Sequence, residues 1–432
     1  MFKHLCFNAL FLLLMTSCSF FYHDNVIEKT LDINAPKHKD APYVLLISID
    51  GLRHDYLDKY RPKNLMKLAQ EGVQAESLKP VFPTLTFPNH YSIITGLRPD
   101  HHGIVANHFI APDLNDASYS LRDRDAVTNP KFYKGTPLWS LARLQGLVSA
   151  TYFWPGSEAP IAKTYPSYWR TYEHNAPHSE RIETVMRWLE LPKENRPHFS
   201  TLYFSKVDSA GHAFGPGSSQ VEKTLQKLDK DIGTLIHRLE RLDFPVNIVI
   251  TSDHGMTDLS FSKIAYLDEH FTKKKDEEIW DRFEVVHTFA LAFFYYKGPK
   301  ENKKTDIKRA LELLNKHPRY ATYQRGNLPK HLYFNENPRM GDLVAIADTG
   351  WTIGPKSEIK VIPGSHGFDP EETLDMDGIF IANGPLFKAN QKIERFENIH
   401  IYPFLAKLLG LSTKGIPIDG SPEILEAIIR KK

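Results

Sequence analysis

Two long apolar runs in this chain each stop at an aspartate, and they restrict the fold more than any other feature. The first run, 43–49, leads into Asp50-Gly51, and the second, 246–251, leads to Asp253. A continuous apolar run rich in β-branched residues is typical of a strand buried on both faces, as in a parallel sheet. Because α/β proteins place their sites beyond the carboxyl ends of such strands, we expect both aspartates at one functional edge.

Strands and helices alternate through the first part of the chain. The pattern predicts helices over 62–71, 137–145, 179–189 and 219–242, and further strands over 147–153 and 199–204. Such alternation implies parallel βαβ units. The expected fold is therefore α/β, with a central, mostly parallel sheet flanked by helices on both faces.

The pattern becomes less regular after Thr257. It predicts strands over 288–296, 343–348 and 379–382, and helices over 306–314 and 401–409. We expect this half to extend the same sheet and to cover one of its edges.

The first 18 residues are typical of an export signal. Lys3 and His4 precede an apolar run to Met15 that is too short for a comfortable membrane span, and small residues follow. Cys18 directly after them resembles a bacterial lipobox, which predicts a lipoprotein of the periplasm or outer membrane with Cys18 as its first mature residue. The alternative is plain cleavage nearby and a secreted protein. We expect a linker over 19–41 and one domain over 42–432.

The cysteine content limits the chemistry of that domain. The chain has two cysteines, Cys6 and Cys18, and both lie in the signal segment. The predicted domain therefore contains no disulfide, thiolate nucleophile or cysteine metal ligand. A net charge of +2 favours neither nucleic acid nor anionic membranes as partners. Any metal site must use histidine and aspartate.

Residues of those two types recur at predicted strand ends. Asp208 and His212 follow the strand at 199–204, His254 follows Asp253, and His366 lies in a late Gly-Ser-His-Gly stretch. Taken singly, such an aspartate is commonly a helix cap, and a histidine is commonly structural. Together they provide the imidazole and carboxylate ligands that zinc accepts when thiolates are missing. A two-metal site suits in-line displacement at phosphorus.

One stretch, 81–91, combines two threonines with a helix start. Pro88 fits the first turn of a helix, which would place Thr86 near the N-terminus, where backbone N–H groups favour an anion. A hydroxyl held there suits a nucleophile toward phosphate. The simpler alternative is a threonine that only caps the helix.

These motifs, in this order, resemble the ectonucleotide pyrophosphatase/phosphodiesterases, a branch of the alkaline phosphatase superfamily. The resemblance covers about residues 42–410, and a bacterial single-domain member is expected. It is carried by Ser48-Ile49-Asp50-Gly51, Pro83-Thr84-Leu85-Thr86-Phe87-Pro88-Asn89-His90, Thr95-Gly96-Leu97-Arg98-Pro99, His102-Gly103-Ile104, Phe153-Trp154-Pro155-Gly156-Ser157, 208–212, Ser252-Asp253-His254-Gly255-Met256 and His366-Gly367.

The resemblance implies a role for each matched residue. Thr86 matches the nucleophile, Asn107 matches the side chain that binds a phosphoryl oxygen, and Thr84 matches a position without a catalytic role. The implied cofactors are two Zn²⁺ ions. The implied ligands are Asp50, Thr86, Asp253 and His254 for one ion and Asp208, His212 and His366 for the other.

The same resemblance implies a small-molecule nucleotide substrate, cleaved to a 5′-monophosphate through a phosphothreonine. Phe87 matches one wall of a nucleobase slot. The other wall is expected from the aromatic-rich insertion at 158–178, with Trp169 as the first choice and Tyr168 beside it; the alternative is that these aromatics only cover the sheet edge. No sequence-specific nucleic acid is expected, and membrane contact is expected only through a lipid anchor.

Four alternatives compete with this function. A phosphate monoesterase would need a cation for the extra charge of its substrate, and Lys163 and Arg170 lie nearby in sequence. A lipid-headgroup phosphodiesterase is disfavoured because such relatives lack most of the insertion. A binding lipoprotein without turnover is disfavoured because all seven ligand positions are filled. A sulfatase is disfavoured, since its formylglycine precursor is a cysteine or serine, whereas Thr86 stands at that position.

Overall fold

The computed structural model describes residues 32–430. The predicted signal segment, Cys18 and the first part of the predicted linker lie outside this range. Residues 32–41 differ from the expected linker because they pack on the domain. The Asn34 amide donates to the carbonyls of Glu194 and Arg196 at 3.3 and 2.8 Å, and His38 is buried. The folded domain therefore begins before residue 42.

The strands and helices are numbered in chain order. The strands are β1 Tyr43–Ile49, β2 Val73–Ala75, β3 Leu78–Lys79, β4 His108–Ala111, β5 Ala117–Ser120, β6 Ser149–Tyr152, β7 Tyr168–Arg170, β8 Phe199–Phe204, β9 Val246–Thr251, β10 Thr257–Asp258, β11 Ile264–Tyr266, β12 Phe283–His287, β13 Leu291–Tyr296, β14 Tyr320–Gln324, β15 Leu343–Ala347, β16 Thr352–Gly354, β17 Gly364–Ser365, β18 Phe380–Asn383, β19 Gln391–Ile393 and β20 Phe396–Glu397. The α-helices are α1 Tyr56–Tyr60, α2 Lys63–Glu71, α3 Thr86–Thr95, α4 Pro99–His102, α5 Arg124–Thr128, α6 Leu138–Leu144, α7 His178–Leu189, α8 Lys206–Phe214, α9 Ser219–Leu239, α10 Lys274–Trp280, α11 Lys303–Leu314, α12 Ile401–Leu408 and α13 Glu423–Glu426.

An eight-stranded central sheet runs in the order β19-β2-β18-β9-β1-β8-β6-β7. The five strands from β9 to β7 run parallel to one another, whereas β18 is antiparallel to both β9 and β2. Every residue of β1 is buried, as expected for a strand with both faces covered. The predicted central, mostly parallel sheet is confirmed.

Helices cover both faces of this sheet, and the alternation of side chains along β1 divides the core between them. Leu45, Ile47 and Ile49 join the apolar cluster formed with α2, α7 and α9. Val44 and Leu46 join the second cluster, with α3, α6 and α12. Because side chains alternate along a strand, one apolar run supplies both layers.

The second half of the chain departs from the prediction. Strands β12, β13, β15 and β14 form a separate antiparallel sheet in that order, and only β18 and β19 from this half join the central sheet. β12 and β13 are separated by three residues and pair as a hairpin, so their partners are local. Apolar periodicity identifies a strand but not the sheet that it joins.

No helix in the range 32–430 has both the length and the apolar character that a membrane span requires.

Candidate active site

The carboxyl ends of the parallel strands meet along one edge of the central sheet. Asp253 follows β9, Asp50 follows β1 and Asp208 lies just after β8. Trp154 follows β6, and Tyr172 follows β7. The strand order β9-β1-β8-β6-β7 therefore arranges carboxylates on one half of the edge and aromatic side chains on the other.

Gly51 allows two of these strand ends to approach closely. Its backbone has a φ of +66°, and a Cβ built on it would lie 2.8 Å from the Cα of Asp208. A side chain at this position would therefore be disfavoured by backbone conformation and by contact. The Asp50-Gly51 pair combines a candidate ligand with the space that the next ligand needs.

Thr86 is the first residue of α3 and lies half-buried in the cleft. The Asn89 side chain holds the preceding loop by donating to the carbonyls of Val81, Pro83 and Leu85 at 2.9–3.2 Å. The Thr86 hydroxyl lies 3.2 Å from Nε2 of His254. The predicted helix start is confirmed, and it turns this hydroxyl toward the strand-end cluster.

The other threonine of the loop has a different role. Thr84 is fully buried, and its hydroxyl donates to the carbonyl of Phe368 and accepts from the N–H of Gly367, each at 2.9 Å. Its carbonyl accepts from Nδ1 of His366 at 2.8 Å. Thr84 therefore fixes the segment that carries His366.

The first group of candidate ligands comprises Asp50, Asp253 and His254. Nε2 of His254 lies 3.1 Å from Oδ2 of Asp253 and 3.5 Å from Oδ1 of Asp50. The ligand atoms of all three residues lie within 4.8 Å of one another. With the hydroxyl of Thr86, they form a compact set of oxygen and nitrogen atoms.

The second group comprises Asp208, His212 and His366. Oδ1 of Asp208 lies 3.3 Å from Nε2 of His212 and 3.6 Å from Nε2 of His366, and the two Nε2 atoms are 3.2 Å apart. The ring of His254 stacks on that of His366 at 3.5 Å, and its ligand atom also lies within 4.8 Å of those of Asp208 and His366. The two groups are therefore adjacent.

The ligand atoms in both groups suit a bound cation. Oδ1 of Asp50, Oδ1 of Asp208 and Oδ2 of Asp253 are buried and accept no hydrogen bond among residues 32–430. Buried carboxylate oxygens without partners are costly, and zinc coordination would satisfy them.

The histidines have the complementary arrangement. Nδ1 of His212, His254 and His366 each lies 2.8–2.9 Å from a backbone carbonyl. Because a carbonyl can only accept, each Nδ1 carries the proton and each Nε2 presents its lone pair to the cluster. These residues therefore fit zinc in the ligand groups predicted from the sequence.

The electrostatics of the cluster also favour a cation. Burial, followed by the charges of Asp253 and Asp208, raises the pKa of Asp50 well above its ordinary value. Burial also raises the pKa of Asp208. Burial, followed by the nearby His254 and His212, lowers the pKa of His366 well below its ordinary value. A divalent cation would stabilise the ionised carboxylates and bind the neutral imidazoles.

Two supporting residues were not assigned from the sequence. His90 lies with Nδ1 2.9 Å from the carbonyl of Thr86 and 3.2 Å from Oδ2 of Asp253. The Tyr203 hydroxyl donates to Oδ2 of Asp50. His90 could have been noticed because it lies one turn after Thr86 in α3, whereas nothing in the local sequence distinguishes Tyr203 from other core tyrosines.

A cleft of about 850 Å³ opens beside the candidate ligands. Thr86, Phe87 and Asn107 line it together with Asp50, Asp208, His212 and His366. Oδ1 of Asn107 accepts from the N–H of Phe87 at 2.9 Å. The structure thus brings these predicted residues together.

Trp169 and Tyr168 do not line this cleft, so the structure does not support the wall predicted from them. Both belong to β7, where Trp169 stacks on Tyr165 at 5.6 Å and the Tyr168 hydroxyl donates to the carbonyl of Asn195 at 3.1 Å. Tyr172 lines the cleft instead. The physical reason is strand direction. Side chains within a parallel strand project from the faces of the sheet. The chain reaches the functional edge only after the strand ends.

The two cations considered for a phosphate monoester also lie elsewhere. Neither Lys163 nor Arg170 lines the cleft, whereas Arg122 and Arg124 do. Arg124 pairs with Glu158, whose Oε1 also accepts from the N–H of Tyr172 at 3.1 Å.

Comparison with known proteins gives consistent results. The family model described as type I phosphodiesterase / nucleotide pyrophosphatase matches residues 44–369. Ectonucleotide pyrophosphatase/phosphodiesterase family member 1 of Homo sapiens is 37% identical over 384 residues, which cover 87% of this chain and 41% of the relative. A venom phosphodiesterase of Naja atra is 34% identical over 413 residues, which cover 91% of this chain and 47% of the relative. The chain spans less than half the length of these curated relatives.

Solved structures agree with this relationship. Murine ectonucleotide pyrophosphatase/phosphodiesterase 5 superposes with a TM-score of 0.81 at 29% identity, covering 90% of this chain and 100% of that one. An inactive threonine-to-alanine variant of the same murine protein, in complex with AMP, gives a TM-score of 0.82 with the same identity and coverage. By its sequence match and its fold, the chain belongs to the type I phosphodiesterase / nucleotide pyrophosphatase family.

Proposed function

We propose that this protein is a two-zinc hydrolase that converts nucleotide phosphodiesters and nucleoside triphosphates to nucleoside 5′-monophosphates, with Thr86 as its nucleophile. The observation that carries the proposal is the position of the Thr86 hydroxyl. It lies at the start of α3, 3.2 Å from Nε2 of His254, beside three buried carboxylate oxygens that accept no hydrogen bond among the described residues.

Zinc bound by these groups would lower the pKa of the threonine hydroxyl and offset negative charge in the transition state. The proposed holders of one ion are Asp50, Thr86, Asp253 and His254, and those of the other are Asp208, His212 and His366. Phosphodiesterase and pyrophosphatase names among the relatives, and the AMP complex of the murine relative, support a nucleotide substrate.

The reaction proceeds in two displacements. The Thr86 oxygen attacks phosphorus while the bond from phosphorus to the leaving oxygen breaks, giving a phosphothreonine that still carries the nucleoside as its 5′ ester. The hydroxyl proton passes to solvent, and the leaving group takes a proton from water if its pKa requires one. A water molecule then attacks phosphorus, the bond to Thr86 breaks, and the threonine recovers a proton as the 5′-monophosphate departs.

Asn107 and the start of α3 stabilise the charge that develops on phosphorus. The carbonyl oxygen of the Asn107 side chain is held by the N–H of Phe87, so its amide donors are available for a phosphoryl oxygen. The first N–H groups of a helix have no partner within the helix, and their dipoles favour an anion. Such fixed donors need little reorganisation during the reaction.

Phe87 and Tyr172 supply the aromatic surfaces of the proposed nucleobase slot. Both line the cleft, and the Tyr172 backbone is fixed by Glu158. Stacking on aromatic rings tolerates different bases, so we expect broad nucleotide acceptance rather than selection of one base.

The decisive experiment compares the two threonines of the loop. Thr86→Ala should lower kcat on thymidine 5′-monophosphate p-nitrophenyl ester by at least about 10³-fold, because the attacking atom is removed. Wild-type protein that is quenched with acid during turnover of this ester should carry a thymidine 5′-monophosphoryl group on Thr86, detected by mass spectrometry. Thr84→Ser, which keeps a hydroxyl on the other side of the loop, should retain most of the activity. Unchanged turnover by Thr86→Ala would refute the assignment.

Comparison of two aryl esters separates this function from a phosphate monoesterase. The cleft of the proposed diesterase should prefer the thymidine ester over p-nitrophenyl phosphate. The reverse preference would favour the monoesterase and direct attention to Arg122, which lines the cleft and forms no ion pair among residues 32–430.

A further inference from the structure

The segment 171–177, which joins β7 to α7, carries Tyr172 but contains no helix or strand. Tyr172 itself is 40% exposed, so packing constrains its ring on one side only. An irregular segment of this kind is usually mobile unless other groups hold its backbone. The structure contains such a holder in the first turn of α7, Arg181.

We propose that Arg181 is a positioning residue, which holds the Tyr172 side of the cleft in the conformation that binds a nucleobase. This inference rests on the proposed function and extends it to a residue behind the cleft. Arg181 itself does not line the cleft and would act only through the residues that it holds.

Arg181 is completely buried, and all of its hydrogen bonds in the described chain go to backbone carbonyls. Its Nε donates to Ala176 at 3.1 Å, one terminal nitrogen donates to Tyr203 at 2.7 Å, and the other donates to His174 at 3.4 Å. Two of these carbonyls belong to 171–177, and the third lies in β8. One guanidinium group therefore ties the irregular segment to the central sheet.

The face of the same guanidinium supports an aromatic stack. Its central carbon lies 4.9 Å from the centroid of the Phe153 ring, a cation–π distance. The Phe153 ring contacts the Tyr172 ring at 5.0 Å between centroids. Phe153 has a φ of +62°, a conformation that persists only where the surroundings impose it. Arg181 thus supports Tyr172 both through the segment's backbone and through Phe153.

A buried arginine without a carboxylate is unusual, and a second buried arginine shows the ordinary arrangement. Arg181 forms no ion pair within residues 32–430, and burial lowers its pKa. Arg339 is equally buried but pairs with Asp113 through two nitrogens, each at 2.9 Å. Its other side-chain bonds reach the carbonyls of Gly103, Phe132 and Lys131, which do not line the cleft. Arg339 therefore provides a matched control.

The test compares a substrate that has a nucleobase with one that does not. A lysine at 181 offers a single point of donation and cannot span three carbonyls. We expect Arg181→Lys to lower kcat/KM on thymidine 5′-monophosphate p-nitrophenyl ester about tenfold, chiefly through KM, because stacking on Tyr172 is weakened. On bis(p-nitrophenyl) phosphate the change should be no more than about twofold, since this diester needs no base wall.

Two controls distinguish positioning from general destabilisation. Arg339→Lys should lower the melting temperature without changing the ratio of activities on the two substrates. In a Tyr172→Ala background, Arg181→Lys should leave that ratio unchanged, because the residue through which it acts is missing. If Arg181→Lys does not fold, Phe153→Leu removes the ring between Arg181 and Tyr172 and should cause the same selective loss.

Equal losses on both substrates would overturn the inference and leave Arg181 with a structural role alone. If the wild type cleaves neither ester, the proposed function fails instead. The positioning role is then tested by calorimetric titration with AMP: it predicts about tenfold weaker binding by Arg181→Lys, and unchanged binding would refute it.

Discussion

The two halves of the functional edge are built in different ways. On the half formed by β9, β1 and β8, short strand-end segments carry charged side chains that are buried and close together, with Nε2 of His254 3.1 Å from Asp253. On the half formed by β6 and β7, the aromatic residues after β6 are buried, and Tyr172 after β7 is 40% exposed and is carried by an irregular segment. Closely packed ligand atoms suit the fixed geometry that the proposed metal site needs. An aromatic surface suits the base-tolerant stacking proposed for the substrate.

Tyr203 belongs to both halves. Its hydroxyl donates to Asp50, its ring lies 6.3 Å from that of Tyr172, and its carbonyl accepts from Arg181. The halves are therefore mechanically connected, although their side chains perform different tasks. Substitutions on the two halves should separate loss of chemistry from loss of binding.

The largest effect is expected on the charged half. His366→Ala should reduce the zinc content from two ions to one per chain and lower kcat by more than about 100-fold, because it removes a predicted ligand rather than an outer-shell partner. Metal analysis and turnover of the thymidine ester measure both changes. Chelation of the wild type should abolish activity, and added zinc should restore it. Full activity in the chelated protein would remove the basis for metal-assisted chemistry here.

An intermediate effect is expected from the residue shared by the halves. Tyr203→Phe removes only the hydroxyl that holds Asp50, so we expect a loss of about 10–100-fold in zinc affinity or kcat. The ring remains beside Tyr172, and KM should change little. Zinc titration together with steady-state kinetics gives the comparison. A change confined to KM would assign Tyr203 to the aromatic half alone.

A smaller effect is expected on the aromatic half. Tyr172→Ala should raise KM for the thymidine ester about tenfold, as expected for loss of one stacking surface, with little change in zinc content. Trp169→Ala is the matched control, because Trp169 lies nearby in sequence but stacks on Tyr165 outside the cleft. It should leave KM unchanged. A raised KM for Trp169→Ala together with an unchanged KM for Tyr172→Ala would support Trp169 as the wall of the nucleobase slot.

The smallest effect on activity is expected at the opposite end of the sheet, away from both halves. His198 stacks on Tyr43 at 4.5 Å, and burial lowers its pKa to about 4. In the unfolded chain, a histidine has a pKa of about 6.5. The His198 ring therefore takes up a proton more readily in the unfolded chain than in the folded protein. The contribution of the neutral ring to stability is therefore complete above about pH 6.5 and decreases as the pH falls toward 4.

Thermal melting of wild type and His198→Phe between pH 7 and pH 4 tests this prediction. The variant should lose less stability on acidification than the wild type, whereas the two proteins should have the same activity at pH 7. An identical pH dependence of melting would show that His198 does not contribute to acid sensitivity.

Much of the charged half could be predicted because the sequence patterns that indicate it are local. Asp50 and Asp253 directly follow apolar strands, Asp208 and His212 lie one helical turn apart, and Thr86 precedes Pro88 at a helix start. Strand direction then determines that these residues meet. The structure places all seven predicted ligand residues in two adjacent groups.

The aromatic half could not be predicted in the same way. The insertion contains several aromatic residues, and composition does not reveal which one passes the end of β7. The second antiparallel sheet was missed for a related reason, since the pattern of β13 does not state whether its neighbour is β12 or the central sheet. Arg181 gave no local signal either, because its partners are backbone carbonyls, which every residue has.

The sequence by itself determined the chemistry available to this protein: a parallel α/β sheet, strand-end carboxylates and histidines, and a threonine at a helix start. Those features follow from periodicity and residue type, which act over a few residues. Only the tertiary structure decided which side chains share the cleft: Tyr172 rather than Trp169, with Tyr203 and Arg181 behind it. That choice depends on strand order and on packing between segments far apart in the chain, and short-range patterns do not encode it.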